Sequence, residues 1–298
     1  MGRTTGIILG AASLWLAAAP AALADCRTLD ADIRAALAQS AVARFDGLYA
    51  QLQAEITCDA AYRSTTGRLM ARVVLSTLAT DAAPQQLEAV AKYGRPWQLL
   101  VAIGDAHYAR SAWAQALAAY EEALDDMRDN VANPVAPPAD VEQRTYKRAV
   151  QARALAPTFV ATRQVRGEKT GLANPHFRNF EAVAVPVPVQ FDTDQDVLTP
   201  QGQAAVRDIY AYLSQPPGTA YVRIIGHTDP RGADAYNLDL SRRRAASVAA
   251  FLQYLGYRGR IEIVGKGESE PFQADDPSKY TTDQIYAFDR RVEYQVVQ

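Results

Sequence analysis

Two patterns of apolar residues divide the chain. From Asp25 to about Ala156, apolar side chains recur at steps of three and four, alanine is abundant and no run alternates strictly, which predicts helices. Breaks fall near Cys58, at Ala83-Pro84, at Gly94-Arg95-Pro96 and over the proline-rich stretch from Asn133 to Pro138. A last helix is expected from Asp140 to Ala156, ended by Pro157. From Val183 the period changes to two. Val183, Val185, Val187, Val189 and Phe191 alternate as in a half-buried strand, and Pro186 and Pro188 assign that strand to a sheet edge. Thr199 and Pro200 then open a helix as N-cap and first-turn residue, Val206, Ile209, Tyr210 and Leu213 form its apolar stripe, and Pro216-Pro217-Gly218 stops it. Tyr221 to Ile225 predicts a second strand, Asp234 to Leu255 a second helix, Ile261 to Val264 a third strand, and Val292, Tyr294 and Val296 a last one. The order βαβαββ is an α+β sandwich, with helices on one face of a mixed sheet.

The helical half has one internal signature. Trp97 to Arg128 resembles a single tetratricopeptide (TPR) repeat: Leu100, Ile103, Gly104 and Tyr108 fall near its first-helix positions, and Ala116, Tyr120 and Ala123 match the second. Small Gly104 and Ala116 allow two antiparallel helices to approach, with Tyr120 and Leu124 filling the space beyond. One repeat cannot bury its own apolar face, so the flanking helices must cap it. The expected organisation is a signal peptide at 1–24, a TPR-like helical bundle at 25–157, a linker at 158–182 and the α+β domain at 183–298. The linker carries Arg163, Arg166, Lys169 and Arg178 among glycine, asparagine and proline.

The signal-peptide reading rests on Arg3, the apolar run Ile7 to Ala19, and the small-x-small pattern Ala22-Leu23-Ala24 before Asp25. It implies export. Cys26 lies close enough to that cleavage point to raise a lipid anchor, but Asp25 is a poor neighbour for lipidation. Cys58 is the other cysteine of an exported chain, so a Cys26–Cys58 disulfide is the favoured outcome. Closing a loop of about 30 residues would stabilise the fold by about 3–4 kcal/mol in the chain-entropy view. A net charge of −2 argues against nucleic acid as a partner. Two cysteines and the scattered His107, His176 and His227 make no metal cluster, and no cofactor motif is visible.

The densest chemistry lies in GHTDPRGADAYNLDLSRRRA, residues 226–245. It sets Asp229 and Arg244 fifteen positions apart across a strand end and the following helix. Asp229 can accept from an ammonium, and Arg244 offers a planar fork to a carboxylate. Backbone N–H groups near Gly232 to Ala235, where the helix begins, would add donors for that carboxylate. Asn237 precedes Arg244 by two helical turns and shares its stripe. Together with Phe191-Asp192, Leu198-Thr199, Gly265-Lys266-Gly267-Glu268, Pro271 and Asp289-Arg290-Arg291-Val292-Glu293, this run resembles the OmpA-like peptidoglycan-binding domain. The resemblance covers about 115 residues, from 183 to 298. It implies that Asp229 and Arg244 grip the diaminopimelate of a peptidoglycan stem peptide, or another amino-acid-like unit with a free ammonium and carboxylate, with Asn237 and one of Arg290 and Arg291, here Arg291, as further contacts. Thr228 either joins them through its main chain or hydroxyl or caps a turn. The family's asparagine before the paired arginines is Asp289 here, which changes the local hydrogen bonding.

The expected function is a non-catalytic periplasmic protein that anchors to the cell wall and presents its helical domain to a periplasmic or outer-membrane protein partner. The alternative is a TPR-like interaction scaffold for which the wall is only an address. No GxSxG elbow, HExxH or glycine-rich phosphate loop supports catalysis.

Overall fold

The computed structural model describes residues 25–156, Leu172, Arg178, 185–187, Phe191, 195–215 and 220–297. The signal peptide expected at 1–24, most of the linker, Asp192 and the Pro216-Pro217-Gly218 stop lie outside them. The chain forms two compact units, divided between Arg63 and Ser64.

In the first unit, helices α1 (Cys26–Ala38) and α2 (Phe45–Ala54) bury Leu29, Ile33, Phe45, Leu48 and Leu52. Cys26 and Cys58 are joined in a disulfide, so neither sulfur is available to a lipid. Tyr62 donates from its hydroxyl to Asp30 at 2.7 Å, a second tie across the same loop. Helix α3 (Ala60–Thr77) carries the division between the units.

In the second unit, α4 (Pro84–Val90) is followed by the hairpin α5 (Trp97–Tyr108) and α6 (Trp113–Arg128), with α7 (Ala139–Leu155) packed on it. The small-residue reading of the hairpin holds: a Cβ on Gly104 would stand 2.4 Å from the Tyr120 ring. Leu100, Leu117, Tyr120, Leu124, Met127, Ala149 and Val150 form the core between these helices. Residues of α3, α4 and α5 and of the turns after α3 and α5, including Leu75, Leu78, Leu87, Ala102, Ala106 and Arg110, line an open cavity of about 830 Å³.

The sheet of the second unit contains β1 (Val185–Val187), β2 (Tyr221–Gly226), β3 (Ile261–Gly265) and β4 (Val292–Val297) in the spatial order β1-β4-β2-β3. β4 is antiparallel to both β1 and β2, and β2 is parallel to β3, which makes the sheet mixed as expected. The edge position predicted from Pro186 and Pro188 is where β1 lies. Helix α8 (Pro200–Leu213) starts at Thr199, whose hydroxyl accepts from the Gly202 N–H at 3.1 Å. Helix α9 (Asp234–Leu255) links the parallel pair and ends at Gly256 with φ +110°. Val206, Ile209, Val222, Ile224, Val248, Leu252 and Tyr294 close the core between helices and sheet.

One helix departs from the βαβαββ reading: α10 (Thr282–Asp289) lies between β3 and β4. Its start is a capping box in which Thr281 accepts from the Gln284 N–H and Gln284 reaches back to the Thr281 N–H. The segment before it lies against the helical part. Phe272 packs on the α5–α7 core, the Tyr108 and Tyr280 hydroxyls meet at 2.6 Å, and the Gln151 carbonyl oxygen lies within hydrogen-bond reach of both.

Glycine fixes how β2 meets α9. A Cβ on Gly226 would stand 2.0 Å from the carbonyl oxygen of Ser241, a backbone atom that cannot move aside without shifting α9. Gly226→Ala is expected to destabilise the second unit by about 3 kcal/mol, at the upper end of overpacking costs. Chemical denaturation of residues 25–298 should show the midpoint moved to lower denaturant.

Candidate functional site

The loop 227–233 leaves β2 and runs to the first turn of α9. Its start keeps the pairing of the sheet on both sides: the His227 N–H donates to the Arg291 carbonyl and the Thr228 N–H to the Gly267 carbonyl, each at 2.9 Å. Asp229 therefore stands one residue beyond the last ladder bond, above the start of α9. No side chain caps that helix at Ala233, so its first-turn N–H groups face the same end of the sheet without a side-chain acceptor at the cap.

Asp229 is only 6% exposed, and two arginines enclose its carboxylate. Arg231 donates from its backbone N–H and Nε to Oδ1, both at 3.1 Å, and from Nη2 to Oδ2 at 2.7 Å. Arg290 Nη1 donates to Oδ2 at 2.8 Å. Burial pushes the carboxyl up, but the hydrogen bonds from Arg231 and Arg290 outweigh it and hold it at about 2. Arg244 is also 6% exposed. Its Nε donates to the Gln195 carbonyl at 3.1 Å, and its guanidinium lies 5.0 Å from the centre of the Phe191 ring. The predicted acid and base thus lie in the same loop-and-helix unit but are held by different neighbours. Among the described residues, the ion-pair partners of Asp229 are Arg231 and Arg290.

The other predicted residues take distinct places. Asn237 is buried and uses its amide as a brace, donating to the carbonyls of Asp229 and Arg231 at 3.3 and 3.2 Å and to Glu268 at 2.5 Å. The hydroxyl of Thr228 is buried without a hydrogen-bond partner among the described residues, which leaves it able to serve a ligand or a water. Arg291, the residue carried forward of the arginine pair, is turned away from Asp229. Its Nε donates to Glu293 at 2.6 Å, its Nη2 to the Glu270 carbonyl at 3.1 Å, and it lies over Phe272. Arg290 reaches Asp229 instead, because α10 ends one residue earlier and places Arg290 at its C-cap. His227 is fully buried, with Nε2 at 3.7 Å from Glu293, beyond hydrogen-bond reach. Asp289 accepts from the Phe272 N–H at 2.8 Å, the bond an asparagine oxygen would also accept, and burial pushes its carboxyl up. Within the basic run, Arg243 pairs with Asp196 and Asp239.

Sequence reasoning missed the part of Arg231 and Arg290 in holding Asp229, and the brace from Asn237 to Glu268. Arg231 could have been found, since it is two residues beyond Asp229 across a proline and faces it once the loop turns. Among the described residues there is no group of three or more potential metal ligands, and no helix is long and apolar enough to cross a membrane.

Comparison with known proteins falls on the same stretch. Residues 190–281 match the OmpA family. The chain is 40% identical over 117 residues to outer membrane porin F of Pseudomonas fluorescens, covering 39% of this chain and 34% of that protein. It is 40% identical over 114 residues to outer membrane protein A of Shimwellia blattae, covering 36% of this chain and 47% of that one. The chain therefore spans only 34% and 47% of the length of these two curated relatives. Among solved structures, the peptidoglycan-associated lipoprotein from Burkholderia pseudomallei is 28% identical, with a TM-score of 0.32, covering 39% of this chain and 91% of that one. The cell wall anchor of the T6SS from Pseudomonas aeruginosa is 24% identical, with a TM-score of 0.31, covering 38% and 78%. The motif, the strand–loop–helix unit that carries Asp229 and Arg244, and the family match coincide: residues 190–281 are an OmpA family domain.

Proposed function

We propose that this protein is a periplasmic, non-catalytic anchor that docks on peptidoglycan through the loop 227–233 and α9. The observation that carries the reading is an ionised carboxylate, Asp229, at the end of β2, with the guanidinium of Arg244 on the helix that starts beside it. Arg244 lies two turns beyond Asn237, a rise of about 10 Å, and helical side chains lean back toward the N-terminus. The long arginine side chain can therefore close much of that distance. An amino-acid unit with a free ammonium and a free carboxylate fits such a pair, and the diaminopimelate of a stem peptide is the wall component with that chemistry. The uncapped first turn of α9 supports a carboxylate at the same place.

Hydrogen bonds to charged groups contribute about 1.5–3 kcal/mol each, so one stem peptide is held weakly. Repetition of the same peptide along the polymer raises the effective concentration and makes weak contacts sufficient for a tether. The helical part, read as TPR-like from Trp97 to Arg128, would meet a protein partner. The open cavity beside Leu75, Leu87 and Ala106 supports a binding role for that part.

Co-sedimentation of the full mature chain with purified sacculi tests the site. Replacing Asp229→Ala and Arg244→Ala together should lower wall retention by tenfold or more. Retention equal to that of the unaltered chain, with folding intact by circular dichroism, refutes this reading.

The charge state of Asp229 gives a second test. Its folded pKa of about 2 lies below the ordinary value of 3.8, so its ionised form stabilises the fold above the unfolded pKa, and that contribution disappears as pH falls through about 2. Thermal melts of the unaltered chain and of Asp229→Asn should differ by a constant amount above pH 4, and the difference should close as pH is lowered from 3.8 toward about 2. A gap that persists to the acid end would mean that the arginines do not act on this carboxylate.

A further inference from the structure

Asp229 already has a ligand-like partner within its own chain. Arg231 binds both carboxylate oxygens, Nε to Oδ1 and Nη2 to Oδ2, in the fork that an incoming cation would have to replace. Arg290 holds Oδ2 from the other side. With both guanidiniums present the cluster carries a net charge of +1, and an ammonium brought to Asp229 would meet like charge on two sides. One arginine has to give way before an ammonium can be seated.

The two are not equally able to move. Arg290 is the C-cap of α10, where its N–H donates to the Tyr286 carbonyl at 3.1 Å, and its neighbours Asp289 and Arg291 are buried. Arg231 lies in the loop, beside Gly232 with φ +110°, outside any helix or strand. Its side chain is 61% exposed, against 40% for Arg290. Its outer side already has other neighbours: its guanidinium is 5.2 Å from the centre of the Tyr286 ring, and Asp283 adds a favourable field on that side. Leaving Asp229 therefore exchanges the ion pair for water while Tyr286 and the Asp283 field stay within reach, and the side chain breaks no backbone hydrogen bond.

We infer that Arg231 is a displaceable internal ligand of Asp229 that limits how strongly the site takes an ammonium-bearing wall peptide. The inference rests on the wall-binding reading above. Arg231 acts as a competitor in the same molecule, and the wall peptide binds as it moves aside. Arg290 remains with the carboxylate and keeps it ionised. Arg231 keeps most of its side chain in water while Asp229 is buried, so Arg231 is the partner that can be displaced, and its removal should be visible as a gain in affinity rather than a loss.

The test uses the full mature chain with two probes, free diaminopimelate titrated by NMR and purified sacculi in co-sedimentation, both at low salt. Arg231→Ala is expected to bind both about three- to fivefold more tightly, the gain from losing a competitor whose own side chain is mostly in water. Arg231→Gln, which keeps much of the side-chain length without the charge, should show the same gain. In an Asp229→Ala background the Arg231→Ala gain should vanish, since the competitor then has nothing to occupy. Unchanged or weaker binding by both Arg231 variants, or a gain that survives in the Asp229→Ala background, overturns the inference. Failure of the underlying site is read separately, from the Asp229→Ala chain alone: if it binds like the unaltered chain, the ligand is not at Asp229.

Discussion

The close approach of β2 to α9 is the constraint on which the site depends. Gly226 ends the strand against the carbonyl of Ser241, and Gly265, its neighbour on the parallel strand β3, faces the Leu238 carbonyl and the Ser241 hydroxyl. Any side chain at either position would push the helix off the sheet. Ser241 then uses its hydroxyl to accept from the Gly267 N–H at 2.9 Å, tying the turn after β3 to the same helix. With strand end, helix and turn locked together, the loop 227–233 has one exit from the sheet. Asn237 braces it to Glu268, and Asp229 is delivered to the rim. The chemistry follows from backbone proximity that only glycine permits.

Electrostatics at the rim follows from that geometry. A carboxylate with little exposure is costly unless it is paired, and here two arginines pair it and keep it ionised. Arg244, nearby on α9, rests on Phe191 and a main-chain carbonyl instead of competing for the same acid. Arg231, Arg290 and Arg244 thus stand beside Asp229, Glu268 and Asp283, so this end of the sheet offers both signs of charge. A zwitterionic unit is the ligand that the proposed clasp of Asp229 and Arg244 would suit.

Local patterns carried most of the fold. Alternation and turn residues placed β2, β3 and β4 within a residue of where they lie, and the N-cap at Thr199 and the span of α9 follow from capping and helical periodicity. The Gly104–Tyr120 contact and the Cys26–Cys58 bond were equally legible, because size and oxidation chemistry restrict what those residues can do. Helix α10 was not read. It is only eight residues long and shows too little periodicity to register, although Thr281 and Gln284 carried a capping-box signature that announces its start. That omission hid the register of Arg290 and Arg291: strand alternation sends them to opposite faces, but the helix C-cap decides which one meets Asp229.

Non-local contact was the other illegible feature, and it changes how the two halves of the molecule should be separated. No local pattern singles out Phe272 or Tyr280, yet Phe272 packs on the α5–α7 core, and Tyr280 shares hydrogen bonds with Tyr108 and Gln151. Both aromatics also touch Phe288 on α10, whose C-cap is Arg290. The helices and the rim are thus joined by a continuous run of packed side chains within the second unit. Deleting the helices would uncover Phe272 and take Tyr108 and Gln151 from the Tyr280 hydroxyl, leaving it Asp275, so a loss of wall binding in a truncated chain would not separate a missing partner from a disturbed rim. Substitutions on exposed helical surface away from Tyr108 and Gln151 keep that support intact, and they isolate what the helical part contributes on its own.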